Sequence, residues 1–210
     1  MEPPTRPTFR LVLAASGHGS NAQAVIDACA AGSIDAEVVA VVSDRSDAYA
    51  LERATRAGIP AVHIGRVPEE TRSQYDARLA IAVADFDPDA VVLLGWMRIL
   101  TMAFLGRFPG QVINLHPALP GQLPGIRAIE RAWHEAMAGQ RHETGVMVHL
   151  VPDEGIDVGP VLDSETVAIH STDSFETLAA RVHAAEHRVI LRVLQQRCAE
   201  HSDIADTGAT

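Results

Sequence analysis

The sequence predicts an α/β fold: a single Rossmann-like domain with a mostly parallel central sheet and helices on both faces. Three observations carry this. Short apolar, β-branched runs alternate with longer stretches of helical periodicity through the first half of the chain. The first apolar run ends in a glycine turn that leads into a helix. At 210 residues, 47% hydrophobic and 21% charged, the chain can bury one substantial core without implying a second domain.

Residues 9–16 are continuously apolar without helical spacing, hence a buried strand, and Gly17-His18-Gly19-Ser20-Asn21 turns the chain into a helix over 22–31. Residues 37–42 are β-branched and close on Ser43-Asp44; a helix over 48–57 stops at Gly58. A short strand at 61–64, a helix over 69–84 and buried strands at 90–94 and 111–115 follow. Alternation of this kind requires crossover connections, and so parallel pairing. Beyond Pro124 the order changes to a helix over 129–138, strands at 145–151 and 161–169, and a long helix over 174–197. Asp173 is expected to cap that helix, with Glu176 in the capping-box position. Residues 1–8 form a Pro-rich extension, 9–198 the domain, and 199–210 a polar, flexible tail.

Several classes are excluded. The longest apolar runs fall far short of the roughly 18–20 residues of a membrane span, and residues 1–8 lack the pattern of a secretory signal, so a cytoplasmic location is expected. A formal charge of -10 disfavours a nucleic-acid surface, although backbone N–H groups at a helix start can still hold one phosphate. Cys29 and Cys198 have no metal-like spacing, and His183 and His187, four apart on a helix, lack a third ligand nearby; no metal is expected.

Gly17 and Gly19 permit a tight turn and close ligand approach, with Ser20 and Asn21 beside the free N–H groups of the helix start. The same string fits the loose dinucleotide fingerprint, with Asp44 as a ribose-binding acid, so a dinucleotide-binding oxidoreductase competes. Asn114 and His116 stand two apart and project to one side at the carboxyl end of a strand that Pro117 terminates. An amide N–H and an imidazole together suit a developing oxyanion, and imidazole moves protons near neutral pH. By themselves the two residues read equally well as caps of a loop.

From residue 9 to about 197 the motifs resemble, in order, those of the folate-dependent formyltransferases. Gly19, Ser20 and Asn21 match the family's substrate-phosphate loop; Gly95-Trp96-Met97-Arg98-Ile99-Leu100 is similar to its pterin-binding turn; Asn114-Leu115-His116-Pro117 is similar to its catalytic signature. Gly155-Ile156-Asp157-Val158-Gly159-Pro160 resembles the loop whose Asp pairs with the catalytic His. The resemblance implies transfer of the formyl group of 10-formyltetrahydrofolate to the amine of glycinamide ribonucleotide, in purine synthesis. Asn114, His116 and Asp157 would be catalytic, with Asp157 raising the pKa of His116 so that its cation is available. Arg72, Met97, Arg98, Ile99 and Leu100 would meet the folate, and Glu186 the nucleotide substrate. Arg127 stands where the family carries a His, and the loop Asp153-Glu154-Gly155-Ile156-Asp157 is one residue longer than the family's, which leaves Asp153 as a second candidate partner for His116. Formyl transfer to another amine, or hydrolysis of the folate, remain as alternatives. The expected partners are the two small molecules, with no nucleic acid and no membrane; a homodimer stays open.

Overall fold

The computed structural model describes residues 8–207, with side chains as far as Ser202. The expected extension, Thr8 apart, and residues 208–210 of the expected tail lie outside the described residues. In chain order the elements are β1 (Phe9–Ala14), α1 (Ser20–Ala30), β2 (Ala36–Ser43), α2 (Tyr49–Arg56), β3 (Ala61–His63), α3 (Arg72–Ala84) and β4 (Ala90–Leu93). Then come α4 (Met102–Leu105), β5 (Val112–His116), α5 (Ala128–Met137), β6 (Glu143–Leu150), β7 (Val161–Ala168) and α6 (Phe175–Thr207).

The strands form one seven-stranded sheet in the order β3-β2-β1-β4-β5-β6-β7. β1 pairs in parallel with β2 and β4, β2 with β3 and β4 with β5, while β6 and β7 run antiparallel to their neighbours. The chain winds outward from β1 to one edge and returns to lay β4 on the other side of β1. Connections therefore leave in opposite directions at the carboxyl ends of β1 and β4, and a crevice opens there. Strand alternation divides the core: Leu11 and Leu13 pack with α1, α2, α5 and α6 on one face, and Val12 and Ala14 with α3 and α4 on the other. This is the predicted α/β fold with helices on both faces.

The departures have local causes. α1 begins at Ser20, because Gly19 takes the left-handed cap position and its carbonyl already accepts Gln23 N–H at 2.9 Å. α3 begins at Arg72 rather than at 69, because Thr71 and Gln74 close a capping box. α4 has four residues, too few to show a period. At α6 the capping oxygen is that of Ser174, which accepts Thr177 N–H at 3.3 Å, while Asp173 accepts His170 N–H at 2.7 Å and binds Arg181. α6 continues past Arg197, where the sequence places its end, because packing holds it: Cys198 and Ser202 are buried, and His201 meets Phe9 edge-on at 5.2 Å.

Candidate active site

The crevice at the switch point is a cleft of about 460 Å³, within the range of small-molecule sites. Its walls come from the loop after β1, the turn after β4, the end of β5, the segment leading into α5, the loop after β6, and α6. Of the residues singled out from sequence, Gly19, Ser20, Asn21, Met97, Arg98, Ile99, Leu100, Asn114, His116, Asp157 and Glu186 all line it. Arg72 does not; it heads α3 and pairs with Glu154 at 2.5 Å.

On the cleft floor one carboxylate gathers three side chains. Asp157 Oδ2 accepts Gly125 N–H at 2.7 Å and stands 3.4 Å from His116 Nδ1; its Oδ1 accepts Asn114 Nδ2–H at 3.1 Å and lies 3.5 Å from His149 Nε2. Asp153 instead accepts Gly155 N–H at 2.8 Å, so Asp157 is the acid beside His116. Asp157 adopts φ 55°, and Leu123 and Arg127, in the segment that leads into α5, have φ 45° and 57°. Non-glycine residues are rarely held in that region, and such strain concentrates at functional sites.

His149 was not singled out from sequence. The antiparallel register puts it directly opposite Asn114, its Nε2 lies 3.1 Å from Asn114 Nδ2, and its Nδ1 lies 2.8 Å from Leu150 O. His149 Nε2 thus stands between Asn114 Nδ2 at 3.1 Å and Asp157 Oδ1 at 3.5 Å, and its protonation decides which of the two it bonds. The signal available in sequence was one polar residue inside an apolar run; in the fold His149 is only 2% exposed.

Both ring nitrogens of His116 face acceptors, because Nε2 lies 3.1 Å from Leu123 O. Burial still lowers its pKa below the ordinary 6.5, outweighing the opposing pull of Asp157 and of the Leu123 hydrogen bond. Asp157 does raise the pKa of His116, as expected, but burial outweighs it and the net shift is downward, which disfavours the expected cation. Burial pushes Asp157 upward, but its bonds to His149 and Gly125 and the proximity of His116 prevail and hold it below the usual 3.8.

At the glycine loop, a Cβ on Gly19 would lie 2.6 Å from Ala50 Cβ, and φ is 72°, so space and backbone both demand glycine. Ser20 and Asn21 open α1, whose first N–H groups have no intrahelical partner and face the cleft side. Glu186, read from sequence as an exposed acid or a substrate contact, is 5% exposed and accepts from His183 Nδ1 at 2.6 Å, which raises the pKa of His183.

The turn after β4 is fixed at both ends: Met97 N–H donates to Ser16 Oγ at 3.0 Å, and Thr101 N–H to the buried Asp76 at 2.6 Å. Trp96 and Leu100 are buried, whereas Met97 is 65% exposed, giving an apolar slot edged by backbone. The Arg98 side chain lies over the Tyr75 ring at 4.6 Å and 4.0 Å from Asp44. Asp44, the candidate ribose-binding acid, is not among the residues that line the cleft. Arg127 caps α5, with its side chain 72% exposed and 3.7 Å from Glu130.

A formyl transferase family model matches residues 9–194. The chain is 43% identical to phosphoribosylglycinamide formyltransferase of Schizosaccharomyces pombe, over 89% of this chain and 95% of that protein. It is 38% identical to the Escherichia coli protein of the same name, over 86% and 83%. The crystal structure of glycinamide ribonucleotide transformylase 1 from Symbiobacterium toebii superposes with a TM-score of 0.86 at 35% identity, covering 92% of this chain and 89% of that one.

Proposed function

The chain belongs to the formyl transferase family, and from that premise we propose that it carries the formyl group of 10-formyltetrahydrofolate to the amine of glycinamide ribonucleotide, in purine biosynthesis. The observation that carries this reading is the floor of the cleft. There a single carboxylate, Asp157, assembles His116, Asn114 and His149 between an anion-binding loop on one side and an apolar turn on the other.

The two sides suit the two substrates. N–H groups at the head of α1, with Gly19, Ser20 and Asn21, hold the acceptor's phosphate, and Glu186 its sugar side. The slot formed by Met97, Arg98, Ile99 and Leu100 takes the flat pterin, chiefly through backbone groups, since the Arg98 guanidinium is engaged with Tyr75 and Asp44. Arg72 meets the folate by exchanging Glu154 for a carboxylate of its tail. 10-Formyltetrahydrofolate supplies a formyl carbon bonded to a nitrogen that can leave.

As the amine attacks that carbon, negative charge grows on the formyl oxygen, and one Asn114 N–H turns from its resting partner to meet it. Neutral His116 takes the proton released by the amine, becomes a cation held by Asp157 and the Leu123 carbonyl, and returns the proton to the leaving nitrogen. Residues 9–198 form the catalytic unit. None of the described helices is long and apolar enough to cross a membrane. The likeness to enzymes of purine biosynthesis supports a cytoplasmic location.

The test follows loss of 10-formyltetrahydrofolate with and without glycinamide ribonucleotide. Acceptor-dependent loss is expected. Loss that proceeds equally without acceptor makes the protein a hydrolase, and no loss removes both readings.

A further inference from the structure

Arg53, on α2, grips the glycine loop from behind. Its Nε–H donates to His18 O at 2.9 Å and its Nη1–H to Gln23 Oε1 at 3.2 Å, and Nη2 stands 3.3 Å from His18 Nδ1. The His18 ring stacks on Tyr49 with 5.3 Å between centroids, and the guanidinium of Arg53 lies 4.7 Å over the same Tyr49 ring. One side chain thus ties the crest of the loop, the first turn of α1 and the start of α2 together. Beside it, Ala50 N–H donates to Gly17 O at 3.1 Å.

The charge balance here is unusual. The chain carries a formal charge of -10, and nearby arginines are neutralised: Arg45 by Asp47, Arg56 by Glu52. Among the described residues no carboxylate lies within 4.0 Å of Arg53, and its contacts are a carbonyl, an amide and two rings. A guanidinium without a counter-ion, set against a loop of convergent N–H groups, adds its field to theirs.

We infer that Arg53 is a positioning residue for the phosphate of the acceptor: by holding His18 and the loop in their anion-binding shape and leaving its own charge uncompensated, it makes the enzyme prefer a phosphorylated acceptor over the corresponding nucleoside. His18, which lines the cleft, is the residue through which it acts. The inference rests on the acceptor proposed above.

Arg53→Met keeps the aliphatic stem and removes the charge and the fork; Arg53→Lys keeps the charge and loses the fork. With glycinamide ribonucleotide, Arg53→Met is expected to raise KM about tenfold, while kcat and the KM for the folate stay within about twofold. With the unphosphorylated glycinamide riboside, wild type and variant should match, because the group that Arg53 serves is missing. Arg53→Lys should fall between wild type and Arg53→Met for the ribonucleotide, and it keeps the question answerable should the methionine variant not fold. Calorimetric titration with inorganic phosphate should show a parallel weakening. If the riboside loses as much as the ribonucleotide, or phosphate binds equally to all three proteins, Arg53 is scaffold and the inference is overturned. If wild type uses neither acceptor, the acceptor assignment fails, and the phosphate titration still decides the role of Arg53.

Discussion

Asp157 Oδ2 lies 3.4 Å from His116 Nδ1, beyond ordinary hydrogen-bond length, while His116 Nε2 stands 3.1 Å from Leu123 O. These distances suit a neutral ring with its hydrogen on Nε2. Protonation at Nδ1 would draw the carboxylate in and satisfy both acceptors at once. Asp157 therefore contributes most when His116 carries a proton, during the reaction rather than before it. Asp157→Asn keeps the shape and loses the charge; kcat should fall by about 10²–10³ with KM changed by less than about threefold. Steady-state kinetics from about pH 6 to 9 check this, and equal turnover across that range sinks the role.

The resting state of His116 can be read directly. Burial sets its pKa below 6.5, and the charge of Asp157 limits the drop. An NMR titration of the imidazole should find a midpoint below 6.5 in wild type and a still lower one in Asp157→Asn. Turnover should rise with pH through the wild-type midpoint and then level off, since the neutral ring is the working form. Activity that climbs toward acid would mean that the cation is the resting catalyst.

Much of this was legible in the sequence, and what was missed has a common cause. Asn114 and His116 could be found because alternation along one strand is a local rule. Their partner Asp157 was reached only through the resemblance of residues 155–160 to a family loop, since no local rule links that loop to His116. His149 could not be reached that way, since its place opposite Asn114 depends on the antiparallel register of β5 and β6, which no local pattern encodes. The downward shift of His116 was hidden for the same reason: it depends on how deeply the folded chain buries the ring, and sequence showed only the charge partner. α4 was too short for periodicity, and the extent of α6 is decided by what packs against it, with Phe9 meeting His201 from the far end of the chain.

Stability should fall as the solution is acidified from neutrality. The folded-state pKa values of His116 and His187 are lowered by burial, so the unfolded chain takes up protons more readily near pH 6.5 and below. Their contribution is complete above the unfolded value of 6.5 and is lost as pH falls through the lower folded values. His183 works in the opposite sense, since Glu186 raises its pKa, but its side chain is 52% exposed and solvent screens the pair. Thermal melts at pH 7 and pH 5 should show the lower Tm at pH 5, with a smaller difference in His116→Gln. A Tm that does not fall between those pH values contradicts the assignment.

Gly19→Ala tests the loop by shape. The left-handed backbone costs a non-glycine residue about 1–2 kcal/mol, and a Cβ 2.6 Å from Ala50 Cβ forces α2 to move as well. A loss of about 2–3 kcal/mol in denaturant unfolding is expected. The KM for the ribonucleotide should rise while the folate KM holds, because α2 packs behind the phosphate side only. A variant as stable as wild type would show that the loop and α2 are less tightly apposed than 2.6 Å implies.

Glu186 offers the last test, because its setting separates two roles. It is 5% exposed, faces the cleft and has His183 as its hydrogen-bond partner at 2.6 Å, so it acts either as a structural acid or as a substrate contact. Glu186→Gln preserves volume and one acceptor but removes the charge that strengthens both that bond and any bond to a sugar hydroxyl. If Glu186 touches the acceptor, KM for the ribonucleotide rises about tenfold, the folate KM is unchanged and Tm moves little, since His183 is half exposed and its pair contributes modestly. If Glu186 serves only the fold, Tm drops and the two KM values move together. His183→Gln provides the contrast: it removes the same pair from the other side and should leave the ribonucleotide KM within about twofold of wild type. An equal rise in KM from both variants would assign the effect to the pair, and not to contact between Glu186 and substrate.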